Sequence, residues 1–181
     1  MEFVVENVGR RDEVWANGIG DHSLNGYERN VLLRNLGNGK FADVGYLTDS
    51  NRIEDGRAVA LADFDRDGQV DVLLQSFQSD VVLLMGRDAP GHWLQVELEG
   101  VESNRDAVGA VVAIETTSGR QTRQVTLGNA FLSCSSPVLH FGLGDASTVN
   151  HIEVRWPSGR RQSVTGVEAD QRLSLREPVA P

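Results

Sequence analysis

The sequence predicts an all-β protein in two modules, and three observations predict it. Apolar residues arrive as short runs or alternations, not at the spacing of a helical face. Gly, Asn-Gly and similar turn formers break those runs at short intervals, with 19 glycines in 181 residues. Such residues let the chain take the positive φ of tight turns. Between two apolar runs lies one aspartate-dense loop, Asp63-Phe64-Asp65-Arg66-Asp67-Gly68-Gln69-Val70-Asp71.

The elements follow in order. In the first half, strands are predicted at Phe3–Asn7, Val31–Asn35, Ala58–Ala62, Val70–Gln75 and Val81–Met85. In the second half they are predicted at Trp93–Leu98, Ala110–Glu115, Gln121–Thr126, Val138–Phe141, His151–Trp156, Arg161–Thr165 and Arg172–Arg176. Each run has strand length and is bounded by turn chemistry such as Asn38-Gly39, Ser118-Gly119 and Pro157-Ser158-Gly159. The turn-prone run Asp88-Ala89-Pro90-Gly91 is the expected junction, dividing the chain into modules 1–91 and 92–181. Charge divides there as well. Nine basic and sixteen acidic residues precede residue 92, and eight and ten follow.

The net charge of −9 argues against a nucleic-acid binder, which needs a basic face. It argues equally against a polybasic membrane anchor. No apolar run approaches the roughly 20 residues of a membrane span. The lone Cys134 has no partner for an internal disulfide. Met1-Glu2-Phe3-Val4-Val5-Glu6 lacks the basic start and apolar stretch of a signal peptide. The expected location is therefore the cytoplasm, or the chain is a piece of a longer extracellular protein.

The aspartate loop carries the sharpest chemistry. Asp63, Asp65, Asp67 and Asp71 repel one another unless a cation neutralises them. Alternate spacing turns the first three toward a common centre if the loop curls. Gly68 permits the bend, the backbone carbonyl of Gln69 points inward, and Asp71 closes the shell. Several hard oxygen donors in flexible geometry suit Ca²⁺, whereas Mg²⁺ prefers a tighter octahedron. Zinc needs His or Cys, and the loop has neither. An EF-hand is excluded on two counts. The position for its closing glutamate is Leu74, and the flanks read as strands. The expected ligand set is Asp63, Asp65, Asp67, Gln69 and Asp71, on a hairpin joining two strands.

The segment Gly56–Leu74 around this loop resembles the FG-GAP/VCBS repeat, the calcium-loop blade of integrin-α-like β-propellers. Asn30–Val44, with Arg34-Asn35-Leu36-Gly37-Asn38-Gly39-Lys40-Phe41, resembles the strand pair that ends such a repeat. His92-Trp93-Leu94, Ser103–Ala110, Leu139–Gly144 and Val154–Gly159 resemble the ASPIC/UnbV domain, in order over about 85 residues. The combination is similar to the C-terminal part of CRTAC-like (cartilage acidic protein 1-like) proteins. The resemblance implies a partial propeller-like segment with a Ca²⁺ hairpin, followed by a β-sandwich or barrel-like domain. Members of the family usually carry several calcium repeats and a secretion signal, whereas one complete calcium loop is found here. Phe3–Asn7 and Trp15-Ala16-Asn17-Gly18 read as the tail of a preceding blade. Asp49-Ser50-Asn51 and Glu54-Asp55-Gly56 have the wrong spacing for a second metal and read as a surface loop.

Two functions from different classes follow. One is a calcium-stabilised binding module, its metal structural, recognising a protein, glycan or small molecule. The other, implied by the UnbV part of the family's name, is a small cyclase or pericyclase of enediyne or terpenoid biosynthesis. Its apolar substrate would sit between the modules, with Asp106, Glu102 or Asp43 as acid. A third is a structural cap that packs on a longer propeller or self-associates, marked by exposed apolar surface along the first strands. His92, His140 and His151 read as hydrogen-bonded structural residues. Ser103-Asn104-Arg105-Asp106 reads as a turn held by side-chain bonds to backbone, Trp156 as core, and Cys134 as lacking a partner base.

Overall fold

A computed structural model describes residues 2–7 and 28–179. Among them the strands in chain order are β1 (Glu2–Asn7), β2 (Leu33–Gly37), β3 (Lys40–Asp43), β4 (Gly56–Ala62), β5 (Asp71–Ser76), β6 (Val82–Arg87) and β7 (His92–Glu99). They continue as β8 (Val111–Thr116), β9 (Gly119–Gln124), β10 (Leu139–Gly144), β11 (Thr148–Arg155), β12 (Arg161–Glu168) and β13 (Gln171–Arg176). One 3-10 turn occupies Gly45–Leu47. Every strand predicted from sequence has its counterpart. Lys40–Asp43 is the strand added, as the second arm of the hairpin around Asn38-Gly39. Trp15-Ala16-Asn17-Gly18 lies outside the described residues.

The chain forms two compact units. The first comprises Met1–Phe64, Gln69–Ala89 and Ala130–Cys134, and the second Asp65–Gly68, Pro90–Asn129 and Ser135–Pro181.

In the first unit, β4, β5 and β6 run as an antiparallel meander, and β1 pairs antiparallel with β6. The sheet order is β1-β6-β5-β4, a four-stranded blade. Among the described residues, Val82, Leu84 and Met85 of β6 are its buried apolar side chains. Strands β2 and β3 form a separate two-stranded ribbon. All five residues of β2 are exposed, and Val31, Leu33, Leu36, Phe41, Tyr46 and Leu47 each show more than half their surface. The acidic loop beyond it is closed by its own arginines. Arg52 pairs with Glu54 at 2.7 Å and Arg57 with Asp55 at 2.6 Å. Ser50 is buried and Asn51, Glu54 and Asp55 are half-buried, so the stretch is more enclosed than the surface loop expected of it.

The second unit is a two-sheet sandwich. One sheet has the order β10-β7-β13, with β7 and β13 parallel, and the other β12-β11-β8-β9, antiparallel throughout. Alternation, regular in β10 and broken in β11, sends residues of both sheets inward. Leu94, Val96, Val112, Ile114, Phe141, Ile152, Val154 and Trp156 meet in one core cluster. Each such side chain contributes about 1.5–3 kcal/mol by leaving water. The indole N–H of Trp156 donates to Gln162 Oε1 at 3.2 Å, so this large residue is buried with its polar atom satisfied.

Candidate metal loop

The hairpin between β4 and β5 places the acidic loop. Ala62 is paired with Asp71 at the end of the ladder, so Asp63 to Val70 form the excursion. The flanks are strands, as the sequence requires for a loop that is not an EF-hand. One carboxylate oxygen from each of Asp63, Asp65 and Asp71 lies within 4.8 Å of the others. Asp67 stands outside that group, and its backbone N–H donates to Asp65 Oδ1 at 3.2 Å. The Gln69 side chain turns to another task. Its Oε1 accepts the backbone N–H of Ala89 at 2.7 Å, tying the loop to the segment after β6.

Asp71 is fully buried, and both its oxygens accept backbone N–H groups. Oδ2 takes Phe64 at 2.7 Å and Oδ1 takes Gly86 at 2.8 Å. It pins the loop entrance to β6. Asp63 is half-buried, and Asp65 is exposed. The donor chemistry fits a hard divalent cation. Three carboxylates converge, one of them held rigid by two backbone N–H groups.

The loop turns back at Gly68, which is buried and has φ 89°. A side chain there is excluded twice. The left-handed backbone disfavours it, and its Cβ would fall inside the indole of Trp93, against Cε2 and Cζ2. Trp93, the second residue of β7, is held through its backbone. Its N–H donates to Asp170 Oδ1 at 3.2 Å, and its carbonyl accepts the Asp170 N–H at 2.7 Å. Asp170 Oδ2 lies 2.7 Å from His92 Nδ1. That hydrogen bond from His92 holds the Asp170 carboxyl below its usual range. His92 thus has the structural partner expected of it. His140 stacks on Trp93, with ring centroids 6.4 Å apart.

Two of the ASPIC-like motifs, Ser103–Ala110 and Val154–Gly159, meet at a glutamate that no sequence motif singles out. Glu177 is 2 % exposed. Its Oε2 accepts the backbone N–H groups of Val101, Glu102 and Ser103 at 2.7, 2.9 and 2.7 Å. Its Oε1 accepts the hydroxyls of Ser103 at 2.9 Å and Ser158 at 2.5 Å. Burial alone raises the pKa of such a carboxyl. The bonds from Ser158, Ser103 and Val101 outweigh it and hold the group at about 2. One carboxylate thereby fastens both the Ser103-Asn104-Arg105-Asp106 turn and the Pro157-Ser158-Gly159 turn. The only local sign of it is an acidic residue before Pro178, which says nothing of partners 74 residues away.

Of the candidate acids, Asp106 is exposed in that turn, where Asn104 Oδ1 accepts the Val108 N–H at 2.8 Å. With Arg105, Glu97, Glu99 and Arg176 it lines a groove of about 410 Å³ whose walls are largely charged. Glu102 is paired with Arg160 at 2.6 Å. Asp43 Oδ1 accepts the Gly45 N–H at 2.9 Å, just before the 3-10 turn.

Fold and site together define a class: an all-β protein with a blade whose β4–β5 hairpin carries converging aspartates, and a β-sandwich whose turns close on a buried glutamate. The FG-GAP-like repeat family matches residues 9–74, and the ASPIC and UnbV family matches residues 100–181. Cartilage acidic protein 1 of Xenopus tropicalis is 32 % identical over 133 residues, covering 68 % of this chain and 20 % of its own length. The mouse protein of that name is 31 % identical over 130 residues, 68 % of this chain and 20 % of its own. The human one is 32 % identical over 131, 70 % and 19 %. The chain belongs to the CRTAC-like family, with an FG-GAP-like repeat followed by an ASPIC/UnbV domain. It spans about a fifth of the length of the curated relatives it matches. Among the described residues no helix is long and apolar enough to cross a membrane.

Proposed function

We propose that the chain is a calcium-stabilised recognition module in which the metal is structural. The observation that carries this is the convergence of Asp63, Asp65 and Asp71 on a hairpin whose far side is anchored by Asp71 to Phe64 and Gly86. A cation there removes the carboxylate repulsion and closes the loop. Binding free energy then becomes folding free energy. Asp63, Asp65 and Asp71 are the residues to hold it, with Asp67 and the Gln69 carbonyl as the further ligands of the proposed set.

The proposed ligand is a protein, glycan or small molecule held on a surface. What favours a surface over a catalytic cavity is the chemistry of the carboxyl groups. Glu177 is saturated with donors and held ionised, so it is no proton donor near neutral pH. Asp106 sits in an open, charged groove. The ribbon of β2 and β3 is the second surface. A two-stranded ribbon with both faces bare is marginal alone, and its exposed Val31, Leu33, Leu36 and Phe41 suit packing on a further repeat or a second copy.

The experiment is thermal unfolding with Ca²⁺ and with chelator. The midpoint rises with Ca²⁺, and Asp65→Ala removes the rise. Identical curves for the unaltered chain under the two conditions refute the reading.

A further inference from the structure

Trp93 is fixed more thoroughly than the start of a strand requires. Both its backbone polar groups are held by Asp170, at 3.2 and 2.7 Å, and its indole stacks on His140 with 16° between the planes. The Cε2–Cζ2 edge of the ring fills the space a side chain at position 68 would take. The loop tip Asp65–Gly68 and Trp93 belong to the same compact unit. Gly68 is therefore held in its left-handed turn by an anchored aromatic wall as well as by its own freedom. That turn is the step that returns the chain from Asp65 to Asp71.

We infer that Trp93 is a positioning residue for the metal loop: its indole, stacked on His140 while Asp170 holds its backbone, keeps the Asp65–Gly68 tip in its cation-binding curl before the ion arrives. The inference rests on the calcium reading above. Its physical content is pre-organisation. Without the wall, the aspartates spread by mutual repulsion, and the cost of ordering the tip falls on the binding step. Residues that orient metal ligands without touching the metal typically change affinity about 10- to 100-fold when altered.

The test uses the full chain. Calorimetric titration with Ca²⁺ is run on the unaltered chain, Trp93→Ala, Trp93→Phe and Gly68→Ala. Trp93→Ala is expected to weaken binding by about 10- to 100-fold and Trp93→Phe by less. Chelator-treated melting midpoints should differ far less than the affinities do. Terbium(III), a luminescent substitute for Ca²⁺, gives a second readout. Emission sensitised through indole absorption should be strong in the unaltered chain and reduced in Trp93→Phe, while directly excited terbium still reports binding by that variant. If the unaltered chain takes up neither ion, the calcium reading falls and this inference with it. If it binds Ca²⁺ and the Trp93 variants bind as tightly, the positioning role is overturned and the calcium reading stands. Sensitised emission undiminished in Trp93→Phe also overturns it, since Trp15 and Trp156 remain as the other indoles. Gly68→Ala attacks the same contact from the loop side, and because Trp93→Phe keeps an aromatic wall, the test stands even if the alanine variants fold poorly.

Discussion

Asp65 and Asp71 are the same residue type six positions apart, and the structure asks different things of them. Asp65 is exposed, so its carboxylate costs little without a metal. Asp71 is buried and satisfies two backbone N–H groups. Asp65→Ala is expected to leave stability in chelator within about 0.5 kcal/mol of the unaltered chain and to abolish the Ca²⁺ response. Asp71→Ala should cost about 2–4 kcal/mol even in chelator, because one buried and one partly buried backbone donor lose their acceptor. Urea unfolding with and without Ca²⁺ measures both, and equal losses in chelator would contradict the division. Glu177 gives a pH prediction. Its carboxyl titrates at about 2 folded against 4.5 as the ordinary value. Between these values the unfolded chain binds more protons, so its stabilisation is fully present above about pH 4.5 and lost as pH falls toward 2. Glu177→Gln should lose about 2–3 kcal/mol at neutral pH by converting charged acceptors to neutral ones. The gap to the unaltered chain should narrow through that acid window, and urea midpoints against pH would show it. The aspartate loop was legible in sequence because its four carboxylates fall within the short stretch Asp63–Asp71. Glu177 was not, because its donors come from two turns far away in the chain and nothing in Arg176-Glu177-Pro178 names them.

At the scale of elements, strands were legible because alternation and turn chemistry are local, and the loop between β4 and β5 lies where its flanks placed it. Pairing was less so. The antiparallel contact of β1 with β6 and the parallel contact of β13 with β7 join segments with no shared local signal. Nor does period-two alternation run unbroken through β11, where Val149 and Ile152 are both buried three residues apart. The inner strands carry the energy. Ile152 of β11 is fully buried between neighbours β12 and β8, whereas Val59 of β4 keeps 37 % of its surface in a strand at a sheet edge. Ile152→Ala should cost about 2–5 kcal/mol. Val59→Ala should cost under about 1 kcal/mol, since it removes two partly exposed methyl groups. Chemical denaturation of both variants checks the ratio, and comparable losses would mean that the edge strand is more buried in solution than its exposure says.

For the whole molecule, the two units differ in how they are stabilised. The sandwich carries a continuous core from Leu94 to Leu175, with Trp156 and Phe141 among its largest members. The blade buries Val82, Leu84 and Met85 in β6 and leaves the ribbon of β2 and β3 exposed. Among the described residues the apolar core of the blade is small, and a small core gains most from a bound ion. Calorimetric unfolding should accordingly resolve two transitions in chelator, the blade melting below the sandwich. Saturating Ca²⁺ at about 100 times its dissociation constant adds about 2.7 kcal/mol to whichever state binds it. That raises the lower transition by several degrees, bringing it toward the upper one, which moves little. Trp156→Phe, which disturbs only the sandwich core, should lower the upper transition and leave the lower in place. A single transition that shifts as one body with Ca²⁺ and with Trp156→Phe alike would show instead that blade and sandwich share one cooperative core, so that the metal stabilises the entire chain.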